Sequence, residues 1–292
     1  MPETRHTFEN RPLGQSGLEV LPIGIGTNKW GKGDPEALME TYRRVTAAGP
    51  TLIDTAEVYG SEKAIGRCHR DASERAILAS KFAPFPFRAS PRSLVKALDG
   101  TLVRLGVETI DLYFLHYALP LVDLKLFADG LTEAVKSGKA RSVGVSNMGA
   151  DKMRRMVDLL DKSGIPLAAN EVRYSLTARK PETNGVLEAC RELDVALVAF
   201  MPLSSGSLSA GKAPKDREEE KALHGLLSDI AKAHDASISQ VSLNWLLCRD
   251  ERIVPIPGAT KPQHAADNLK ALDWRLSEDE FGALDRASAR TS

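Results

Sequence analysis

The sequence predicts an α/β protein, a (β/α)8 TIM barrel preceded by a short N-terminal β-hairpin. Three observations predict it. Short apolar runs alternate with longer amphipathic stretches eight times along the chain. The runs are apolar at successive positions, as in strands buried on both faces, which implies parallel pairing through helical crossovers. The length, 292 residues, suits eight such units closed into a barrel, and barrels of about 250 residues or more commonly form one domain, here taken as residues 1–292. A doubly wound open sheet is the alternative, but no GxGxxG follows an early strand.

The elements follow in order. Turn formers Gly14 and Ser16-Gly17 sit between short apolar positions, so residues 11–20 read as the hairpin. Residues 21–27 read as the first strand, ending in a Gly-rich loop. Residues 35–48 are its helix, with Asp34 as N-cap and Pro35 at the first position. The second strand ends on Asp54 at residues 52–54, and after a turn at Gly60-Ser61 its helix covers 62–70. The third strand, 76–80, ends at Lys81, and its helix, 91–105, starts after Ser90 and closes at Gly106. The fourth strand, 110–115, ends at His116. Its helix is 124–137. The fifth strand, 140–145, ends at Ser146-Asn147 and is followed by helix 151–163. The sixth strand is 167–172 with helix 181–193, and the seventh is 195–200. A polar loop at 204–220 is the best candidate for mobility. Helices 222–234 and 238–248 precede the eighth strand, 253–256. Helices 262–271 and 278–287 end the pattern.

Composition narrows the function. Formal net charge is zero, which argues against a nucleic-acid footprint or an anionic membrane surface. No stretch is long and apolar enough to span a bilayer, and the polar start Met1–His6 lacks a signal-peptide core, so the expectation is a cytoplasmic protein. Cys68, Cys190 and Cys248 are widely spaced with no CxxC and read as reduced packing residues. No HxH or carboxylate cluster has metal-ligand spacing, so no metal is expected and a metal-dependent barrel isomerase or hydrolase ranks low.

In a parallel barrel all strands end on one face. Asp54, Lys81 and His116 therefore converge, with Tyr59 on the loop between. Burying such groups costs several kcal/mol each unless they are paired. A tyrosine hydroxyl has a pKa of about 10. A neighbouring ammonium lowers it, and an aspartate holds the ammonium in place. Tyr59 is thus a candidate to give a proton to a developing alkoxide, with His116 orienting the carbonyl. None of these residues supplies two electrons, so a hydride-carrying cofactor is needed.

The chain resembles the aldo-keto reductases. The motifs are Leu52-Ile-Asp-Thr-Ala-Glu-Val-Tyr-Gly60, Ser80-Lys81-Phe82, Asp111-Leu-Tyr-Phe-Leu-His116, Val143-Gly-Val-Ser-Asn147, Pro202-Leu203 with Gly206, and Ile256-Pro-Gly-Ala-Thr-Lys261 followed by Asp267-Asn268. The resemblance implies an NADPH-dependent reduction of aldehydes or ketones, with Tyr59 as general acid/base supported by Lys81 and Asp54, and with His116 positioning substrate. It implies that Ser146, Asn147 and Glu171 meet the nicotinamide carboxamide and that Tyr174 stacks on the ring. Gly26, Thr27, Asn28 and Asp54 are also cofactor-binding in the same reading. Pro202, Leu203, Ser205, Gly206 and Leu208 run along the pyrophosphate. Lys261, His264, Asp267 and Asn268 surround the adenosine 2′-phosphate and adenine, and Ile256, Gly258, Ala259 and Thr260 are cofactor-binding in the same reading.

Two positions depart from the family pattern. Glu171 stands where Gln is usual, and a carboxylate accepts from an amide but donates only when protonated. His264 stands where many members place Arg, so preference for NADPH over NADH, the alternative cofactor, rests mainly on Lys261. Trp30, Phe85, Phe87 and Tyr117 are candidates for an apolar substrate wall. The chain ends at Ser292, soon after the last helix, from which an open site is expected. A monomer is the default, and the carbonyl substrate is its expected small-molecule partner. The alternative function is an NADPH-binding, redox-sensing regulatory subunit with little turnover.

Overall fold

The computed structural model describes residues 7–209 and 218–289. The expectations for Met1–His6 and for much of the 204–220 loop fall outside these residues.

The chain begins with a two-stranded antiparallel hairpin, β1 (Arg11–Pro12) and β2 (Glu19–Val20), in which Arg11 pairs with Val20. Its apolar residues Leu13, Leu18 and Val20 pack with Leu52, Ala79, Leu112 and Val254 inside the barrel. The hairpin therefore plugs the end of the barrel where the strands start. Gly14 is needed at its turn. Its φ is +52°, and a Cβ there would lie 2.6 Å from the Asp194 carbonyl.

The repeating units follow: β3 (Ile25–Gly26), α1 (Pro35–Thr46), β4 (Leu52–Asp54), α2 (Glu62–Asp71), β5 (Ile77–Phe82), α3 (Pro91–Leu105), β6 (Ile110–Leu115), α4 (Leu124–Lys136), β7 (Ala140–Ser146) and α5 (Ala150–Asp161). The second half comprises β8 (Leu167–Arg173), α6 (Lys180–Thr183), α7 (Val186–Glu192), β9 (Ala196–Phe200), α8 (Glu218–Ala233), α9 (Ile238–Arg249), β10 (Ile253–Ile256), α10 (Pro262–Leu269) and α11 (Glu278–Ser288). Strands β3 to β10 lie side by side in sequence order as an eight-stranded sheet, every neighbour parallel. The sheet closes through Gly24 N–H to Pro255 O at 3.0 Å and Gly26 N–H to Pro257 O at 3.2 Å. The expected barrel is present.

Local chemistry explains the helix ends. Asp34 accepts from the Ala37 N–H at 2.8 Å, and Ser90 forms a reciprocal capping box with Ser93. Gly106 ends α3 at φ +69°. Outside the barrel, Leu98, Phe127, Met153 and Trp245 belong to the continuous apolar layer between sheet and helices.

Two elements differ from expectation. The first strand is two residues long, because Leu21 bonds to Pro50 on one side while Gly24 bonds to Pro255 on the other, so no continuous ladder forms before Ile25. The helix expected at 181–193 is two helices, α6 and α7. Gly185 sits between them at φ +77°, a conformation that a continuing helix cannot contain.

Candidate active site

The strand register assembles the site. Asp54 closes β4 and pairs across to Ala79, and Lys81 lies two residues further along β5. Lys81 is fully buried, and its ammonium donates to both Asp54 carboxylate oxygens at 2.5 Å and to the Thr55 carbonyl at 2.8 Å. A buried cation of this kind needs such partners, because desolvation alone costs several kcal/mol. Tyr59 ends a single helical turn, Glu57–Tyr59, which Gly60 terminates at φ +72°. The turn is fastened to the next loop by Glu57, whose carboxylate accepts from the Ala83 N–H at 2.8 Å and from Arg88. Lys81 Nζ lies 5.3 Å from the centre of the Tyr59 ring. His116 follows β6, held by its N–H to Phe82 O at 2.9 Å, with its ring 5.7 Å from that of Tyr59 and nearly perpendicular to it. The four residues expected to converge do so.

A fifth ionisable group joins them. Glu171 on β8 is buried, and its Oε2 lies 3.2 Å from Lys81 Nζ without a hydrogen-bond partner. Burial, and then the charge of Asp54, push its carboxyl up to about 8, while Lys81 opposes the shift. Burial also raises Asp54, against the pull of Lys81. For Lys81, burial acts to lower the pKa, but Asp54 and Glu171 more than reverse it, so the amine stays cationic.

Burial pushes the Tyr59 phenol to about 12, outweighing the lowering by Lys81, with Asp54 and Glu171 adding to the rise. This corrects the expectation of a lowered pKa. The ammonium is present, but two carboxyls and desolvation dominate it. The result is a tyrosine that holds its proton at neutral pH. Burial and the nearby Lys81 push His116 down to about 4, so its imidazole is neutral. A protonated phenol and a neutral imidazole beside a fixed cation can hydrogen-bond and protonate one oxygen at the mouth.

The rest of the mouth is mixed. Thr27 is buried and donates to Asp54 O at 2.7 Å, while Gly26 is half-buried and Asn28 exposed. Ser146 is buried and donates to Glu171 O at 3.0 Å. Asn147 is exposed at φ +56°, and its Nδ2 donates to His116 O at 3.1 Å and to Ser146 Oγ at 3.0 Å. After β9, Met201, Ser204 and Ser205 all have positive φ. Non-glycine residues pay about 1 kcal/mol or more for that conformation, which concentrates at ligand clamps. Pro202 and Leu208 are buried within this turn, Leu203 and Gly206 half-buried, and Ser205 exposed.

At the eighth strand, Ile256 and Ala259 are buried, Gly258 is exposed and Thr260 half-buried. Lys261 is the N-cap residue of α10, and both it and His264 are exposed. Asp267 already accepts from Ser237 at 2.7 Å and from Gln240 at 2.6 Å, and Asn268 is buried. Among the described residues no group of three or more His, Cys, Asp or Glu could hold a metal ion.

Two expectations are corrected. Tyr174 does not face the mouth. It is fully buried, donates to Glu182 Oε1 at 2.8 Å and packs edge-on against Trp245 between barrel and helices. An aromatic whose strand position does aim it inward is Phe200, which ends β9 half-buried and packs on the barrel-interior cluster. Strand alternation carries the signal: Val198 faces the interior, so Phe200 does too, whereas Tyr174 lies an odd number of positions from the inward Glu171. Trp30 is also not an open wall. It is 1% exposed, and its indole N–H donates to Ala259 O at 2.7 Å, bracing two loops together. Phe85 and Phe87 are exposed and stacked on one another at 6.0 Å, and half-buried Tyr117 lies 5.7 Å from the His116 ring.

Comparison with known proteins agrees with this geometry. The family model described as Aldo/keto reductase family matches residues 22–289. Pyridoxal reductase, chloroplastic, of Arabidopsis thaliana is 31% identical, the alignment covering 93% of this chain and 84% of that one. The crystal structure of a thermostable aldo-keto reductase, Tm1743, in complex with epalrestat is 32% identical with a TM-score of 0.81, covering 96% of this chain and all of that chain. The aldo-keto reductase of Klebsiella pneumoniae in complex with NADPH is 26% identical with a TM-score of 0.81, covering 96% and 95%.

Proposed function

We propose, from the premise that this chain belongs to the aldo/keto reductase family, that it reduces aldehydes or ketones to alcohols with NADPH, Tyr59 giving the proton. One observation carries the reading: Tyr59 and His116 lie beside the buried Lys81–Asp54 pair at the carboxyl ends of the strands, where burial favours the neutral form of both. The reduced nicotinamide, when bound, supplies the hydride. Tyr59 then protonates the oxygen on which negative charge develops, and Lys81 stabilises the tyrosine as its proton leaves. His116 donates to the same oxygen and so fixes the carbonyl. Its low pKa keeps it neutral, so it orients without competing as the acid.

The residues present fit the cofactor. Glu171 offers a buried oxygen that meets Lys81 as an ion pair but has no hydrogen bond, and Phe200 offers a half-buried aromatic face. Ser146, Asn147 and Glu171 would hold the carboxamide, and Phe200 the flat face of the ring. The left-handed turn through Ser204 and Ser205 would follow the pyrophosphate. The N-terminus of α10 attracts anions, and Lys261 adds a point charge there for a 2′-phosphate. Gly26, Thr27, Asn28 and the Ile256–Thr260 segment would shape the floor, with His264, Asp267 and Asn268 near the adenosine. The exposed Phe85–Phe87 pair and Tyr117 suit an apolar carbonyl substrate. Residues 1–292 are read as one domain working as a monomer.

The test is NADPH oxidation against an aldehyde panel, comparing wild type with Tyr59→Phe. The variant is expected to lose about 100-fold or more in turnover while binding NADPH as before. Unchanged turnover would defeat the proton-donor role. Tight NADPH binding without turnover on any carbonyl, wild type included, would favour a cofactor-sensing protein.

A further inference from the structure

Asp54, Lys81 and Glu171 form a charge-imbalanced set: two carboxyls against one ammonium, all essentially cut off from water. Asp54 uses both oxygens on Lys81, whereas Glu171 Oε2 has an ion-pair contact but no hydrogen bond. Asp54 and Glu171 thus meet the same ammonium from two strands, at 2.5 Å and 3.2 Å. With both carboxyls ionised the set would carry a net negative charge away from water, which is costly. A single proton on the two carboxyls balances the set at zero.

We infer that Glu171 is a positioning residue for Tyr59, acting through Lys81: it carries a proton in the working enzyme, and losing that proton weakens Tyr59 as an acid. The inference rests on the reductase reading above. The ionisable groups facing Glu171 are Asp54 from β4, Lys81 from β5 and Tyr59 from the intervening turn. Its sheet neighbours Ser146 and Val198 bring none. Ionised, Glu171 adds a second negative charge beside Lys81, and that charge makes the phenol harder to deprotonate. The same protonated carboxyl has one donor and one acceptor, the complement a side-chain amide would present at this position.

The pH window belongs to this group. His116 titrates near 4 and Tyr59 near 12. Lys81 is held cationic by its two carboxyls. Within the set, the Asp54–Glu171 pair, with Glu171 pushed up to about 8, is what changes charge in the alkaline half of the working range. Because the two carboxyls are coupled, the step belongs to the Asp54–Glu171 pair, and removing Glu171 removes it.

The experiment measures kcat/KM for carbonyl reduction from pH 6 to 10 (roughly the range a single-limb profile needs) in wild type and Glu171→Gln. In parallel, infrared difference spectra of the cofactor-free wild type, with isotope-labelled glutamate, follow the C=O band of a protonated carboxyl. Wild type is expected to lose activity above about pH 8, by roughly tenfold per unit, while the variant stays flat to within about twofold. The protonated-glutamate band is expected to disappear over the same pH range. Persistence of the alkaline limb in Glu171→Gln would overturn the inference and leave the reductase intact. So would a wild type with no protonated glutamate at pH 7. If wild type reduces no carbonyl, the reductase reading fails, and the inference of a role in catalysis fails with it whatever the band shows. If the variant does not fold, the band decides: no protonated glutamate defeats the proposal, and a band that fades with the wild-type limb supports it.

Discussion

At the scale of single residues, the buried carboxyls make stability depend on pH. Glu171 has an ordinary value near 4.5 when unfolded and about 8 when folded. The folded state therefore binds the extra proton between those limits. The stabilisation it represents is fully present below about pH 4.5 and is lost as pH rises through 8. Wild type should thus lose on the order of a few kcal/mol from this group between pH 5 and 9, and Glu171→Gln should not show that decline. Urea unfolding at a series of pH values checks this, and parallel profiles for the two proteins would refute it. A second residue-scale expectation follows from the two tyrosine-sized rings near β8 and β9. Tyr174→Phe removes a bond to the Glu182 carboxylate and should cost about 1.5–3 kcal/mol with no effect on NADPH affinity. Phe200→Ala should weaken NADPH binding. The reverse pattern, read by fluorescence titration and urea melts, would restore Tyr174 to the mouth. Strand parity in the sequence distinguishes these rings, but the motif match points to Tyr174. The tetrad was legible because Asp54, Lys81 and His116 each sit on or next to a strand end and Tyr59 lies on the loop just beyond Asp54. The Glu171–Lys81 contact was not, because it joins strands three places apart in the sheet and depends on side-chain reach.

At the scale of elements, α2 shows how close packing holds the tetrad's support. It follows Tyr59 directly and carries Glu62, which is buried, accepts from Ser80 Oγ at 2.7 Å and pairs with Arg104 at 2.5 Å. Ser80 precedes Lys81, so α2 and the lysine's strand are tied together by a buried carboxylate. This approach is set by Gly66, where a Cβ would fall 2.5 Å from the Leu105 carbonyl of α3. The obstructing atom is backbone, so it cannot rotate away. Gly66→Ala should push the two helices apart and cost about 1–3 kcal/mol, with a smaller second effect on turnover through the shifted Glu62. A urea midpoint equal to wild type would mean that the helices separate freely there. Helix ends in the sequence were readable where chemistry marks them, as at Asp34, Ser90 and Gly106. The break between α6 and α7 was less so, because Gly185 is a helix C-terminus only if its φ is positive, and spacing alone does not reveal φ.

At the scale of the whole molecule, the barrel separates stability from chemistry along its axis. Strand alternation and unit count made the barrel legible, since eight apolar runs joined by helices close in only a few ways. The sealing of its far end was less legible, because a hairpin's partner surface is not written in its own residues. Arg11 does part of that sealing. Its buried guanidinium donates to Leu247 O at 2.7 Å and to the carbonyls of Asp250 and Ile253, at the end of α9 and the start of β10. Leu13 does the apolar part, fully buried against the interior residues of several strands. Leu13→Ala removes most of that plug and leaves a cavity that the surrounding strands can fill only in part, so it should cost about 2–5 kcal/mol. The catalytic groups lie toward the opposite ends of the strands from the hairpin plug, so the effects are expected to add rather than couple. The expected result is a lowered urea midpoint with kcat unchanged below the unfolding transition. A fall in kcat at temperatures where the variant is fully folded would mean that packing at the base propagates along the strands to Lys81, and the division of the barrel into a stabilising end and a reactive end would have to be abandoned.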